Sequence, residues 1–467
     1  MPRVRTPSRC HWLIFGIACM AGSCTAPVEE PTRAIIGATL VDGTGAPPVA
    51  DAVVVMRDGH IVCAGAASSC PVPAKAIRLD ARGMWVMPGL IDAHVHFSQT
   101  GWFDGRPDAA DLRDSFPYDE TMASLEANPG RFFPAYRCAG VTSVFDVGGY
   151  TWTWALRRRF GSDSLAPRIA AAGPLLATVD HWLNLPAERV IIYMANDSVV
   201  RAVVREDAAF HSDAVKIWYI MPPQPPLDTA RAQALVRVAA AEARKYNLPL
   251  IVHATGLWEA KDAIRAGASV LVHSVFESPV DSEFLALARE HKVTYVPTIM
   301  VYAGYTIAAQ GGLDSLGYRT TCVDSATIAH VQAGPPADRA KRQVSAARRA
   351  SVLEQTNYAL ANLKRVSDAG ITVAMGTDAG NPGTLHGPSV FREMELMQQA
   401  GLTPMQVLVA STRNGAIAMG RGDSVGTVAA GKWADLVILD ADPTTDIRNA
   451  QQVHWVVKGG TFWKAGT

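Results

Sequence analysis

Six residues whose side chains can bind metal ions stand at or near the ends of short apolar runs that are far apart in the chain. They are four histidines, one lysine and one aspartate: His94, His96, Lys216, His253, His273 and Asp378. Imidazole and carboxylate are ligands that zinc and similar divalent ions prefer. Alternate residues of an extended strand project to the same side, so His94 and His96 can bind one ion together. These residue types, placed in this way, predict a catalytic metal site.

Each residue of this set also has a simpler interpretation. A histidine at a strand end is often only hydrogen-bonded, and the His-x-His pattern alone matches many proteins without a metal. Lys216 lies in the apolar run Val215–Trp218, and burying an unpaired ammonium group costs free energy. An ion pair with an acid that the sequence does not identify would account for this lysine. The joint placement of all six residues favours the metal site.

The middle of the chain, residues 87–420, alternates short β-branched runs with amphipathic helical stretches. This alternation is typical of a parallel α/β fold. Eight candidate strands are predicted: Gly89–His94, Val141–Asp146, Arg168–Ala172, Val215–Trp218, Pro249–His253, Ser269–His273, Thr294–Thr298 and Thr372–Gly376. Eight strand–helix units predict a (β/α)8 TIM barrel, in which chemistry takes place at the carboxyl ends of the strands. The six residues would then meet at one end of the barrel.

Both ends of the chain have the pattern of short strands separated by turns. Residues 33–86 and 421–467 contain apolar runs bounded by turns such as Asp58-Gly59 and Gly459-Gly460. Neither stretch is long enough to form a stable domain alone. We therefore predict that the two stretches pair into one composite β-sandwich domain beside the barrel.

The composition is that of a globular enzyme. The 467 residues carry 43 basic and 43 acidic side chains, and 49% are hydrophobic while 18% are charged. Such a chain can bury a large core and is neither disordered nor a coiled coil. A net charge of zero argues against nucleic acid as a partner, because nucleic-acid-binding proteins usually carry a basic face. A small-molecule substrate is the expected partner.

The first residues have the pattern of an export signal. Arg3, Arg5 and Arg9 precede ten apolar residues, 12–21, which are too few to span a bilayer and typical of a signal peptide. We predict a signal peptide over residues 1–23. The small residues before Cys24 resemble a bacterial lipoprotein signal, in which Cys24 would be lipidated and would anchor the protein to a membrane. Ordinary cleavage would instead give a periplasmic or secreted protein.

Export would place the remaining cysteines in an oxidising compartment. Cys63 and Cys70 can close a small loop as a disulfide, or they can remain two thiols in a turn. The sequence has no Cys-x-x-Cys pair, so a zinc site built from thiolates is not expected.

The stretch Met87–His96 resembles the opening of the amidohydrolase superfamily, with its metal-binding His-x-His motif. Leu385–Pro388, Gly401–Pro404 and Ala410–Asn414, together with the tail 426–437, are similar to the imidazolonepropionase-like and Xaa-Pro dipeptidase-like (prolidase-like) members. The resemblance covers nearly everything from residue 33 onward. It implies a (β/α)8 barrel with a β-sandwich built from both chain ends.

The resemblance also implies how the histidines and the aspartate share two divalent metal ions, with zinc as the expected metal. One ion would be held by His94, His96 and Asp378, and the other by His253 and His273. A hydroxide bridging the two ions would attack the substrate carbonyl. Asp378 would accept the proton of the water and deliver it to the leaving amine.

A modified lysine is part of the same resemblance. It implies that CO2 carbamylates Lys216, which turns the ammonium group into a carboxylate that bridges the two ions. This modification would remove the cost of burying the charge. A rival arrangement, similar to true imidazolonepropionases, has one ion and leaves the lysine unmodified.

The expected reaction is hydrolysis of an amide or peptide C–N bond in a dipeptide or an N-acyl amino acid. Alternatives within the class are a cyclic amide, a lactone, or an aromatic amide such as a toxin or xenobiotic. The alternative from another class is a non-catalytic metal-binding lipoprotein. Because family members often oligomerise, a homo-oligomer is also expected.

Three residues near the predicted strand ends are candidates for substrate binding. Tyr219 follows Lys216 closely, His181 lies in the third loop, and His386 lies shortly after Asp378. Each could reach a substrate from its loop, and each could equally serve only in packing.

Overall fold

The computed structural model describes residues 31–180, 190–221, 228–310, 322–332 and 346–465. The predicted signal peptide, the lipidation candidate Cys24 and the substrate-binding candidate His181 lie outside the described residues. Within these ranges, no helix combines the length and the apolar character needed to cross a membrane.

Eighteen β-strands form within the described residues and are numbered in chain order. Five precede His94, the first of the six predicted metal ligands: β1 (Arg33–Leu40), β2 (Val49–Arg57), β3 (His60–Ala66), β4 (Ile77–Asp80) and β5 (Trp85–Pro88). Ten lie in the middle of the chain: β6 (Leu90–Val95), β7 (Val141–Asp146), β8 (Arg168–Ala171), β9 (Leu175–Ala177), β10 (Ile191–Tyr193), β11 (Val215–Trp218), β12 (Leu250–His253), β13 (Val270–Val272), β14 (Thr294–Val296) and β15 (Thr372–Val373). Three follow near the end: β16 (Leu436–Leu439), β17 (Val453–Lys458) and β18 (Thr461–Lys464).

The α-helices of the described residues all lie between β6 and β16. The first seven are α1 (Tyr118–Ala127), α2 (Phe133–Cys138), α3 (Leu156–Phe160), α4 (Asp197–Ala209), α5 (Thr229–Lys245), α6 (Leu257–Ala266) and α7 (Ser282–Glu290). The others are α8 (Met300–Gln310), α9 (Ser325–Gln332), α10 (Ala346–Asp368), α11 (Ser389–Gln399), α12 (Pro404–Val409) and α13 (Gly415–Ala418).

Strands from both ends of the chain form one sheet. Its order is β18-β17-β16-β5-β1-β2-β3, with β4 beside β1. The two ends join where β5 runs antiparallel to β16, so that Met87 lies opposite Val437. Ile35, Val54 and Ile438 belong to one buried cluster on this sheet. This apolar cluster spans both chain ends, so burial of the two stretches together removes apolar surface from water.

The middle strands form two parallel sheets, β10-β9-β11-β12-β13-β14-β15 and β6-β7-β8. The chain passes directly from one sheet to the other, since β8 ends at Ala171 and β9 begins at Leu175. At the opposite edges, the N–H of Ala93 donates to the carbonyl of Met375 at 3.1 Å, and the N–H of Asp378 donates to that of His94 at 2.8 Å. Strand β6 is therefore hydrogen-bonded to the segment that follows β15.

Strand and helix alternate regularly from β11 to α8, which agrees with the α/β fold predicted for the middle of the chain. Helix α5 shows why these segments are helical. Asp228 caps its amino end by accepting a hydrogen bond from the N–H of Arg231 at 3.0 Å. Its buried residues, among them Leu235, Val236 and Ala239, recur every three or four positions and form one apolar stripe.

Several strands end or begin a residue or two inside their predicted bounds, and β15 is shortened the most. The sequence pattern predicts a strand to Gly376, but β15 ends at Val373. The N–H of Met375 donates to the carbonyl of Ala410 at 3.0 Å instead of continuing the sheet. The chain therefore leaves the strand conformation before it reaches Asp378.

Two disulfides are present among the described residues. Cys63 is bonded to Cys70, so the alternative of two free thiols is not what the structure shows. Cys138, at the end of α2, is bonded to Cys322, 184 residues later in the chain. The second bond fixes the segment before α9 to α2, a pairing that spacing along the sequence does not indicate.

Asp207 on α4 is a buried acid whose Oδ1 has no hydrogen-bond partner within the described residues. Burial raises the pKa of Asp207 to about 9, and the charge of Glu206 adds to this shift. Since the folded pKa lies above the unfolded one, Asp207 favours folding most at low pH, and this contribution is lost as the pH rises toward 9.

We expect Asp207→Asn to raise Tm relative to the parent chain by an amount that grows from about pH 5 to 9. Calorimetry at several pH values would measure this. Exposed Asp197→Asn on the same helix is the control, and parallel Tm curves for Asp207→Asn and the parent would contradict the expectation.

Candidate active site

The six predicted metal ligands, here called the metal-type residues, are His94, His96, Lys216, His253, His273 and Asp378. The parallel register of the strands brings strand ends that carry such residues to one edge of the sheet. Trp218 is paired with His253, and His253 with Val272, so β11, β12 and β13 end side by side. His273 follows β13 directly, and its backbone φ of 70° is left-handed. Asp378 has a φ of 64°. For residues other than glycine, this conformation costs free energy and is concentrated at functional sites.

Three of the predicted ligands converge on one point. The Nε2 atoms of His94 and His96 lie 3.2 Å apart, and they lie 3.2 Å and 2.9 Å from Oδ1 of Asp378. All three residues are buried, and their donor atoms are spaced closely enough to hold one metal ion. The family resemblance implied that these three residues share one ion.

The remaining predicted ligands lie beside this group. The ring of His273 is 5.0 Å from that of His94 and 4.2 Å from that of His253, measured between centroids. Nδ1 of His273 lies 3.9 Å from Oδ2 of Asp378. Lys216 is buried and lines the same cavity as all five. The structure therefore brings all six residues around one space.

The donor set fits divalent ions chemically. Nδ1 of His96 lies 2.5 Å from the carbonyl oxygen of Gly148, so Nδ1 donates the proton and Nε2 carries the lone pair. That lone pair faces Oδ1 of Asp378, a buried carboxylate oxygen without a hydrogen-bond partner. Two such atoms repel each other unless a cation lies between them. Histidine and carboxylate ligands in this arrangement suit zinc and related ions.

Burial keeps the histidines in the neutral form that binds metals. It lowers the pKa of His94, His253 and His273 well below the usual value, and the nearby positive charge of Lys216 lowers each further. Burial also lowers the pKa of Lys216 to about 7, although Asp378 and Asp146 oppose this shift. A substantial fraction of Lys216 is therefore an uncharged amine at neutral pH.

The six residues line a cavity of about 340 Å³. Much of its remaining wall is aromatic or aliphatic, including Trp218, Phe276 and Tyr302. Arg106 also lines it and donates hydrogen bonds to Oδ1 of Asn381 and to the carboxylate of Asp108. Polar groups in a mostly apolar cavity are the usual features that orient a small ligand.

Tyr219 does not lie where the substrate-binding prediction requires. Its hydroxyl donates to Oδ2 of Asp262 on α6 at 2.9 Å, and it is absent from the cavity wall. Neighbouring residues of an extended chain point to opposite sides. Since Lys216 and Trp218 face the cavity, Tyr219 faces the surrounding helices.

His386 does not line the cavity either, so it is not placed to bind substrate directly. Its Nδ1 lies 2.6 Å from the hydroxyl of Tyr136, its Nε2 lies 3.0 Å from the carbonyl of Gln99, and its ring stacks on Phe132 at 3.9 Å. Burial lowers its pKa to about 4. Both ring nitrogens are engaged, and the residue supports Gln99, which does line the cavity.

Sequence reasoning missed Arg106, Asn381 and Thr298. Arg106 and Asn381 lie in loops, where no periodicity shows which way a side chain points. Thr298 lies at the end of a predicted strand, and its Oγ1 is 2.6 Å from Nδ1 of His273. That hydrogen bond fixes the ring orientation of a predicted metal ligand.

Thr298→Val is expected to weaken metal binding about 10–100-fold, because loss of a partner that orients a histidine ligand has this typical effect. Competition with a chromophoric chelator measures the affinity. Thr294→Val, a buried exchange in β14, is the control and should leave affinity unchanged. Equal affinities in the two variants would mean that Thr298 does not orient His273.

The comparisons with known proteins agree with this geometry. The model of the amidohydrolase family matches residues 85–462. An imidazolonepropionase from Methylobacterium sp. (strain 4-46) is 27% identical over 443 residues, which is 88% of this chain and 93% of the relative. An ochratoxinase from Aspergillus niger is 25% identical over 479 residues, which is 93% of this chain and 87% of the relative. The crystal structure of a Xaa-Pro dipeptidase with bound methionine has the same fold, with a TM-score of 0.70, 23% identity and coverage of 93% of this chain and 100% of that one.

The family match spans most of the chain, including all six metal-type residues. The resemblance seen in Met87–His96 is thereby confirmed, as is the prediction of an enzyme that acts on amide-type bonds. The chain belongs to the amidohydrolase family and is a hydrolase of carbon–nitrogen bonds.

Proposed function

We propose that the protein hydrolyses the amide bond of small substrates that carry a carboxylate, namely N-acyl amino acids or dipeptides. The observation that supports this most is that Arg106 and the six metal-type residues line one cavity. The metal-type residues act on the amide, and the arginine binds a carboxylate at the other end of the substrate. The aromatic wall favours an aromatic acyl group as a second candidate.

The catalytic roles follow from the positions of the side chains. Two divalent ions, zinc in our proposal, would be held by the six residues, where they would polarise the carbonyl and lower the pKa of a bound water. Burial alone would raise the pKa of Asp378, but its contact with His96 and the nearby charge of Lys216 hold it at about 2, so the carboxylate is ionised at neutral pH. Asp378 is therefore ready to accept a proton and pass it to the leaving amine.

Lys216 completes the proposed site. A lysine reacts with CO2 only as the uncharged amine, and burial makes this form available at neutral pH. The resulting carbamate would replace a buried cation by an anion between the two groups of ligands. This is the arrangement that the resemblance implies.

Arg106 carries the proposal for substrate class. Burial opposes its charge, yet Asp108 keeps it protonated by raising its pKa above the usual value. Its guanidinium lies 5.6 Å from the ring centroid of Tyr305, whose hydroxyl donates to the same Asn381 oxygen at 2.6 Å. The cation is thus held in place before substrate arrives, which reduces the entropy lost on binding.

Arg106→Met should raise KM for an N-benzoyl amino acid by about 10–100-fold, which corresponds to the free energy of one hydrogen bond to a charged group. The methyl ester of the same substrate, which has no carboxylate, should show little change. Arg113→Met is the matched control, since Arg113 pairs with Asp111 at the surface of the same loop. Equal losses on acid and ester would contradict carboxylate recognition, and turnover of cyclic amides alone would contradict the proposed substrate class.

We also propose that the parallel strands close into a barrel and that the two chain ends form one domain. The hydrogen bonds from β6 to the segment after β15, and the direct passage from β8 to β9, support closure of the parallel strands into a (β/α)8 barrel. The sheet shared by both chain ends supports the composite β-sandwich domain. Export, through residues 1–23 with or without lipidation of Cys24, and assembly into a homo-oligomer remain proposals that rest on sequence pattern and resemblance.

A further inference from the structure

A second cavity, here called the basal cavity, lies at the other end of the parallel strands. Its volume is about 270 Å³. Arg168, the first residue of β8, and Ser143, near the start of β7, line one side, while Lys458, the last residue of β17, lines another. His253 and His273 stand at the carboxyl ends of β12 and β13, and the two cavities share no lining residue. The basal cavity is therefore separate from the proposed active site.

The basal cavity is electropositive. Its wall contains four cationic side chains: Arg157, Arg168, Arg421 and Lys458. Asp213 accepts hydrogen bonds from both Arg157 and Arg421, at 2.5 and 2.6 Å. Asp435 accepts two from Arg168, at 2.5 and 3.1 Å, and one from the N–H of Gly459. Asp163 also lies near enough to act on Lys458, so three carboxylates surround four cations and the net charge around the cavity is positive.

Lys458 is the most weakly paired of the four cations. It is 9% exposed, and its Nζ lies 3.8 Å from Asp435, beyond hydrogen-bonding distance. Burial lowers the pKa of Lys458 to about 8 despite the nearby carboxylates. A buried ammonium group that has no hydrogen-bond acceptor among the described residues is costly, and an anion in the cavity would offset that cost.

Ser143 supplies a second unsatisfied group. It is fully buried, and its Oγ has no hydrogen-bond partner within the described residues although it lines the cavity. Buried hydroxyl groups are nearly always hydrogen-bonded in folded proteins. A ligand oxygen in the cavity would satisfy this group as well.

The rest of the wall is apolar and partly aromatic. Leu156, Phe160, Met419 and Trp433 line it. The guanidinium of Arg168 lies 3.9 Å from the ring centroid of Trp433, and the ring of His60 stacks on the same tryptophan with 4.0 Å between centroids. Inorganic phosphate would leave these surfaces uncovered. The wall therefore suits a ligand with a flat apolar body and one anionic group.

We propose that the basal cavity binds a small aromatic carboxylate, with its carboxylate at Lys458 and Ser143 and its ring among Leu156, Phe160 and Trp433. This site is distinct from the amide-hydrolysing site and does not depend on the substrate proposed there.

Titration calorimetry of the metal-loaded protein with benzoate tests this proposal. Lys458→Met, which keeps the length of the side chain but removes its charge, should weaken benzoate binding at least 10-fold. Exposed Lys464→Met on the adjoining strand is the matched control and should bind as the parent does. If Lys458→Met fails to fold, Arg421→Met replaces it, since Asp213 keeps Arg157 as a partner.

Metal removal separates the two sites. Benzoate bound at the basal cavity should remain after chelation, whereas benzoate bound at the catalytic ions should be lost with them. Binding that disappears with the metal, or that is unchanged in both cavity variants, would overturn the proposal. Equal binding of neutral benzamide would overturn the ionic part, and equal binding of inorganic phosphate would overturn the aromatic part.

Discussion

Lys216→Ala is expected to lower metal content and kcat together, with kcat falling by about 1,000-fold. The estimate corresponds to loss of about 4 kcal/mol of the charge stabilisation that metal ions supply. Lys216 is buried and lines the cavity together with both groups of ligands. Removing it removes the only group in our proposal that could bridge them. Elemental analysis and steady-state kinetics measure the two effects.

Three further measurements make the Lys216 result specific. Acetate or propionate should partly restore both metal and activity by supplying the missing carboxylate. Labelled bicarbonate should give a carbamate carbon signal in NMR of the parent protein that is absent from Lys216→Ala. Lys364→Ala, at a half-exposed lysine paired with Asp368 on α10, should change nothing. Full activity and metal content in Lys216→Ala would reject the bridging carbamate and favour the one-metal arrangement.

Asp378→Asn is expected to lower kcat by about 10²–10⁴-fold, the range typical for removal of a general acid–base residue. The amide keeps the size of the carboxylate but cannot accept the proton. Oδ1 of Asp378 lies within 3.2 Å of both His94 and His96, so the variant should also bind one ion more weakly. Kinetics at saturating metal concentration separate the loss of proton transfer from the loss of metal.

The pH dependence gives the second readout for Asp378. In the parent, the carboxylate is ionised throughout the neutral range because its pKa is held at about 2. Its replacement should therefore lower activity by a similar factor at every pH near neutrality. Asp368→Asn, an exposed exchange on α10, should retain parental activity. Parental kcat in Asp378→Asn at saturating metal would assign proton transfer to another group.

The family, the α/β class and the set of six residues that line the cavity could all be predicted from the sequence. The reason is that these signals are local: apolar runs show the strands, and the polar residue at the end of each run is plain in the sequence. Parallel strands in register carry their carboxyl ends to one edge, and this is why His253 and His273, at the ends of neighbouring strands, meet.

Which of the surrounding residues face the cavity could not be predicted from the sequence and is seen in the folded chain. Tyr219 points at Asp262, His386 is held by Tyr136 and Gln99, and Arg106 reaches the cavity from a loop. The Cys138–Cys322 bond joins segments 184 residues apart. Loop side chains are oriented by contacts between distant segments, and such contacts leave no periodic trace in the sequence. Strand geometry is set by neighbours in the chain, whereas loop packing is set by the whole fold.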